Sequence, residues 1–352
     1  MTGNSVSDEY AGYFNGVLSG GGHAVGVSAA GLHSQDIRIP GGNYTDPGSG
    51  RTFFLDRMPQ SFNHVQEAGI GYSYQGDFGT IGIGGKHYEM NYGIPGVPPN
   101  PDWADVPPAT SRISQKKNAL EVRGLLEVDG SLIRQVRINA GYADYNHSEF
   151  PTVQDSMGIS ASQANHFRKQ AVNAALQFQH ERFGNFQGIV GFWTDIENLT
   201  IDGEMPLGPN SLTTGVAGYV YEEYLAGDDT RLQAGFRFDY NRIQTSPFGD
   251  SPDSVFRTLD VTRLSNAVTA SLGAVRKLSS GTSISVSVAR SFRAPTVQEL
   301  FANGLDAASS TYSKGRDSRP STTTLRRSLM VCSACSSAGA KATLATWSRS
   351  GP

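Results

Sequence analysis

The chain is nearly free of cysteine. Of its 352 residues only Cys332 and Cys335 are cysteines, and both lie near the end. That excludes a disulfide framework for the body. A CxxC pair has zinc-like spacing, but no second pair stands elsewhere to complete a tetrahedral set. The chain also has no apolar run of 18 residues, which excludes a membrane-spanning helix. It does not exclude a membrane-spanning strand, which hides its apolar face in every second residue. Neither sign of charge prevails: 29 basic against 32 acidic residues give a formal −3, so there is no basic excess of the kind nucleic acid requires. The start, MTGNSVSDEY, has neither a basic n-region nor an apolar h-region and does not read as a signal peptide. The motifs of covalent and phosphate chemistry are missing too. No glycine-rich loop follows a strand and opens a helix, and no GxSxG elbow is present.

What is abundant is glycine, 41 of 352 or close to 12 %, against about 7 % in ordinary proteins. The glycines have no collagen period and fall inside runs of alternating residues. Between Arg231 and Asn241, the residues Leu232, Ala234, Phe236, Phe238 and Tyr240 share one face; Arg231, Gln233, Gly235, Arg237, Asp239 and Asn241 share the other. Soluble strands average about 5–6 residues, whereas a tilted membrane strand needs ~9–11. The same period recurs at Ala68–Gln75, Gln135–Tyr142, Val172–Gln179, Val268–Ala274 and Ser283–Val288. In each, a small or polar face alternates with an apolar one, as lumen and lipid faces do in membrane barrels.

Connections alternate as well. Short turns are predicted at Gln75–Gly79, Val128–Ser131, Arg182–Asn185, Ala226–Asp229 and Leu278–Gly281, with long polar stretches at about 33–61, 92–112, 147–165, 199–211 and 245–261. Barrels of the outer membrane have short periplasmic turns and long extracellular loops. The fold class expected is therefore all-β, a partial antiparallel transmembrane β-barrel of about twelve strands. Because such a barrel must be exported, a natural N-terminus upstream of Met1 is expected. The proline-rich stretch 92–112 cannot be a central strand; a solvated loop and a ligand-facing loop are both compatible with it.

At Arg290–Gly304 the chain reads RSFRAPTVQELFANG. This string resembles a signature of the barrels of TonB-dependent outer-membrane receptors, and it stands, as there, where a strand enters an extracellular loop. YEMNYGIPG from Tyr88, QKKNALEVRGLLE from Gln115 and RINAGYADYNHSEF from Arg137 are similar to the branch that takes up zinc and siderophores. The resemblance covers roughly residues 10–315. It implies a barrel of about 22 strands with a plugged lumen, of which about twelve are here, and no covalent chemistry. The implied location is the outer membrane of a Gram-negative bacterium. The implied partners are outer-membrane lipid, the TonB energy-transducing complex acting through a plug domain, and an extracellular metal or siderophore. The implied cargo is a ferric siderophore, zinc or a similar metal complex; no resident cofactor and no nucleic acid are expected. The chain departs from the family pattern by opening directly on barrel-like sequence, without a plug. It departs again after Gly315, where Ser, Ala, Thr and Arg replace the alternation. Residues 1–315 are thus expected to be receptor barrel and 316–352 an aberrant tail, read as the product of a frameshift.

The histidines form the one metal-like pattern. His33, His64, His87, His147 and His166 are expected at or near extracellular strand ends, His23 and His180 on the periplasmic side. His33 with Asp36, and His147 with Glu149, are the candidate metal ligands, since imidazole and carboxylate are common zinc donors. The spacing of His147 and Glu149 puts both on one face of a strand. Of the signature residues, Pro295 is expected to end the ladder, Arg293 to pair inside the lumen, and Glu299 and Leu300 to shape the exit with them. Asp195, Glu197, Arg237 and Asp239 are expected on the lumen face.

Overall fold

The computed structural model describes residues 2–45, 52–95, 111–130, 132–155, 158–161, 165–203, 207–247, 259–279, 281–306, 311–315 and 328–336. Twelve strands run through it as one antiparallel meander: β1 (Glu9–Gly20), β2 (His23–Ser34), β3 (Asn63–Gly76), β4 (Gly79–Ile94), β5 (Ser111–Glu127), β6 (Ile133–Asp155), β7 (Asn165–His180), β8 (Phe186–Asp202), β9 (Asn210–Leu225), β10 (Thr230–Ser246), β11 (Thr262–Ser279) and β12 (Thr282–Arg290). Thr2–Asn4 adds to β1, and Gly158–Ala161 pairs back on β6. Ser328–Ser336 pairs with β12. The sequence reading left that segment outside the barrel, but the open edge of β12 offers unpaired backbone groups to any extended chain. The rest of 316–352 lies outside the described residues. Among the described residues no pairing joins β1 to the far end, so the sheet is open.

The predicted short turns at Gln75–Gly79, Arg182–Asn185 and Ala226–Asp229 hold, while those at Val128–Ser131 and Leu278–Gly281 include residues outside the described ones. Gly21 and Gly22 form a two-residue hairpin between β1 and β2 at φ 59° and 84°, the left-handed backbone that such turns require. Gly79, at φ 117°, opens β4 where a Cβ would stand 2.1 Å from the Leu125 carbonyl oxygen.

Register shows why one face is apolar. Directly opposed residues share a face, and Phe236 lies opposite Val220 and Ala270, Phe238 opposite Gly218 and Val268. Followed across the sheet, this face carries Val27, Ile70, Ile83, Leu120, Val172, Phe192, Leu272 and Val286, all substantially exposed. An apolar belt twelve strands wide exceeds the few hundred Å² that a water-soluble surface tolerates. On β10 it spans eight residue steps, roughly 20 Å once tilted, near the height of a lipid-facing band. Among the described residues no helix is long and apolar enough to cross a membrane.

The strands are longer than the sequence reading allowed. β4 to β11 run 16 to 23 residues, and β6 continues through 147–155, where a loop was expected. Above the belt the outward face turns polar, with Arg168 bridging Asp144 at 3.1 Å and Lys116 bridging Glu89 at 3.4 Å. A strand wet on both faces has no apolar period to read. The same extension places His87 mid-strand, at the upper margin of the belt, rather than at a strand end.

Candidate functional site

The other face is the candidate site. It carries the small and charged residues, and near the end where the long connections depart it gathers aromatic and titratable side chains. His147 of β6 lies opposite Gln115 of β5 and Phe167 of β7. Its ring stacks on Phe167 at 4.3 Å and tilts against Tyr145 at 5.6 Å. Nε2 stands 3.4 Å from Oε1 of Glu149, both side chains being largely buried, and Nδ1 is buried without a partner. The predicted shared face of this pair is therefore realised. Beside it Tyr145 donates to Gln115 Oε1 (2.9 Å), Gln115 Nε2 donates to Met90 Sδ (3.2 Å) and Tyr88 donates to the same sulfur (3.0 Å). This polar chain crosses β6, β5 and β4.

Below these residues the inner face of β1 to β5 forms an open trough of about 1010 Å³. Its floor is small, with Gly26, Gly69, Gly71, Gly82 and Gly84, and its wall is charged. Lys86 pairs with Glu67 at 2.8 Å and Arg123 with Glu121 at 2.7 Å, and Lys117 adds a further cation. Across β7 to β10, Lys169 pairs with Glu197 at 2.5 Å. Arg237 donates twice to Asp239, at 2.8 and 2.7 Å, while lying over the rings of Trp193 and Tyr219. Gly191 makes the room: a Cβ there would sit 2.3 Å from the Tyr219 ring. Register places Asp195, Glu197, Arg237 and Asp239 on this inner face, as expected.

His33 and Asp36 stand elsewhere. His33 is opposite His64, which is opposite Asn91, then Ser114 and Ser148. His147 is one residue from Ser148 and so on the opposite face, four strand spacings or about 19 Å away. Asp36 Oδ1 accepts from the backbone N–H of Ser61 (2.8 Å) and Phe62 (3.1 Å), fastening the β2–β3 connection. Among the described residues no three His, Cys, Asp or Glu side chains converge as a metal cluster.

The signature forms a capped turn of helix. The ladder of β12 ends at Arg290, five residues before Pro295, so the proline precedes the helix cap instead of ending the strand. Helix α1 (Val297–Phe301) is closed by a capping box: Thr296 Oγ1 accepts from Glu299 N (3.2 Å) and Glu299 Oε2 from Thr296 N (2.8 Å). Arg293 binds Glu299 through both guanidinium nitrogens, one at 3.0 Å. Its partner is thus in its own loop, and its side chain is 66 % exposed. This pair, with the Thr296 N–H, holds the Glu299 carboxyl down at about 2. Leu300, Val297 and Phe301 are buried against Ile243, an inward-facing residue, so α1 packs on the inner side of the sheet. Asn303 N donates to Leu207 O (3.0 Å), tying it to the β8–β9 connection.

Sequence reading missed Tyr88, Met90, Gln115, Tyr145, Phe167, Trp193 and Tyr219. Their signal was parity: aromatic and amide side chains on a face otherwise made of small and charged residues. Of the stretch 92–112, read as a solvated or ligand-facing loop, 92–94 and 111–112 belong to β4 and β5, and 96–110 lies outside the described residues.

A family model described as TonB dependent receptor-like, beta-barrel, matches residues 28–325. Among solved structures the chain is similar to the copper transporter OprC (12 % identity, TM-score 0.62, 84 % of this chain and 45 % of that one). It is similar to the FrpB iron transporter from Neisseria meningitidis, F3-3 variant (12 %, 0.62, 82 % and 46 %). It is also similar to a double mutant of the Serratia marcescens hemophore receptor HasR in complex with its hemophore HasA and heme (12 %, 0.58, 88 % and 46 %). At these identities the likeness is one of fold, and the chain spans about half the length of these structures. Among curated proteins none matches in sequence.

Proposed function

The chain belongs to the TonB dependent receptor-like β-barrel family, and from that premise we propose that it forms part of the wall of an outer-membrane receptor for TonB-coupled uptake of a scarce substrate. The substrate class is a ferric siderophore, zinc or a similar metal complex. The membership carries the reading; the two-faced sheet supports it, because an apolar belt outside and a charged, aromatic wall inside suit a solute path through lipid. In a bilayer the open edges require partner strands, so the whole barrel is closed by further strands and filled by a plug that TonB engages. Residues 1–315 serve as barrel wall, and Ser328–Ser336 is seated on its open edge at β12.

His147 and Glu149 contact the incoming cargo at the mouth, with Tyr145 and Phe167 holding the imidazole. The pair is two donors and not a closed site, which fits a cargo bound and then released. His33 and Asp36 are read as a separate region on the outer side.

The test is accumulation of radiolabelled ferric siderophore or zinc by a Gram-negative host whose own receptors are deleted and which makes the whole protein, with and without TonB. Uptake that requires TonB supports the proposal. Equal uptake in both strains means passive permeation and overturns it. In a zinc titration of the refolded whole protein, His147→Ala is expected to weaken binding; unchanged affinity removes this residue from the cargo path.

A further inference from the structure

The trough on the inner face of β1 to β5 has a floor that wall packing does not explain. Gly26, Gly71 and Gly84 form one row across β2, β3 and β4. A Cβ at any of them would meet nothing nearer than 3.5 Å. Glycine inside a strand weakens it and marks places where something else comes close. The wall has room for side chains in this row and carries none, which keeps about 1010 Å³ open.

The charges around that space do not balance. Its wall holds Lys86, Lys117 and Arg123 against Glu67 and Glu121. Lys86 takes Glu67, and Arg123 takes Glu121. Lys117 is exposed and makes no ion pair among the described residues. In the ladder it lies opposite Tyr88 and Tyr145, whose hydroxyls donate elsewhere, to Met90 and Gln115. Lys86 of β4 lies opposite Ala119 and is therefore the diagonal neighbour of Lys117, about 7–8 Å away. Of these two ammonium groups only Lys86 has a carboxylate.

Lys117 also stands next in line from the His147–Glu149 pair. His147 is opposite Gln115, and Lys117 is the following residue of β5 on the same face. On the β7 side Phe167 covers the imidazole at 4.3 Å, and further round α1 is packed on Ile243. The open way from His147 runs along β5 into the trough.

We propose that the trough is a second station for the cargo, where Lys117 binds an anionic group of an incoming metal chelate. This rests on the uptake reading and narrows the cargo to a chelate that carries negative charge on carboxylate or phenolate oxygens. An ammonium donor to such an oxygen makes a charge-assisted hydrogen bond, stronger than a neutral one. A bare divalent cation is repelled by the same wall. The volume suits the organic shell of a chelate, since ligand pockets run to ~300–1,000 Å³.

The experiment uses the whole protein in the receptor-deleted Gram-negative host, with and without TonB, and surface labelling to equalise the amount of each variant. The radiolabelled probes are ferric citrate and a ferric tris-catecholate, both anionic, a neutral ferric tris-hydroxamate, and zinc chloride. The expected result is TonB-dependent uptake of an anionic chelate. Its half-saturating concentration rises roughly tenfold in Lys117→Gln, rises further in Lys117→Glu, and stays near the parent value in Lys117→Arg. Lys116→Gln is the control: Lys116 is on the opposite face, paired with Glu89 at 3.4 Å, and uptake is expected to be unchanged. Uptake that needs TonB but is equal in the parent, Lys117→Gln and Lys117→Glu overturns this inference and leaves the uptake reading standing; the trough is then filled by protein and not by cargo. TonB-dependent uptake confined to the neutral chelate or to zinc has the same consequence. Uptake that does not need TonB, or no uptake of any probe, overturns both.

Discussion

Glu299 shows how much one side chain organises here. It accepts from Arg293 and from the Thr296 backbone, and these donors depress its carboxyl to about 2 from an ordinary 4.5. A depressed folded-state value means stability that is complete above about pH 4.5 and lost as pH falls toward about 2. The side chain is 47 % exposed, so solvent screens the pair and the effect is local. Amide exchange in residues 296–303 is expected to rise over that window, and Arg293→Ala to flatten the profile. A second prediction belongs to backbone. Gly79→Ala places a methyl at φ 117° against the Leu125 carbonyl, and such positions cost about 1–3 kcal/mol. The midpoint of urea-induced unfolding in detergent is expected to fall, with Gly20→Ala, which meets nothing within 4 Å, as the neutral control.

At the scale of elements, strands and helix obey different rules. The strands owe their place to a two-residue alternation that makes one face apolar and suits it to lipid. Phe236→Arg inserts a charge mid-belt and is expected to cost ~2–4 kcal/mol of folding free energy in a bilayer, whereas Asn241→Arg, on the inner face of the same strand, is expected to leave it nearly unchanged. Refolding into liposomes across a denaturant series measures both. Helix α1 owes its place to its cap and its buried face. Thr296→Ala removes the N-cap oxygen, worth ~1 kcal/mol, and is expected to loosen α1 without moving the barrel's transition. Above the belt the strands were illegible as strands. At 147–155 polar residues interrupt the apolar period, and ladder pairing of β6 with β5, with β7 and, at its end, with Gly158–Ala161 carries them on as strand.

Taken as a whole molecule, the sheet has a wet side and a greasy side, and that assignment is testable at one stroke. Trp193 faces inward and Phe236 outward. In bilayers of brominated lipid, a Phe236→Trp variant with the native tryptophans replaced by Phe is expected to be strongly quenched. A chain keeping only Trp193 is expected to be spared. Equal quenching of both means that the faces are reversed or the sheet is not inserted.

The sequence by itself determined the twelve-strand meander, the alternation of short and long connections, and the sorting of Asp195, Glu197, Arg237 and Asp239 onto one face, because a period of two and turn-forming residues are local properties. It also placed His147 and Glu149 together, since their spacing lies within one strand. Only the tertiary structure decided that His33 and His147 lie on opposite faces, that His64 is the partner of His33, and that Arg293 answers Glu299. Those facts depend on register between strands and on how a loop folds back. Register is set by pairing across the whole sheet, where a slip of one residue exchanges the faces.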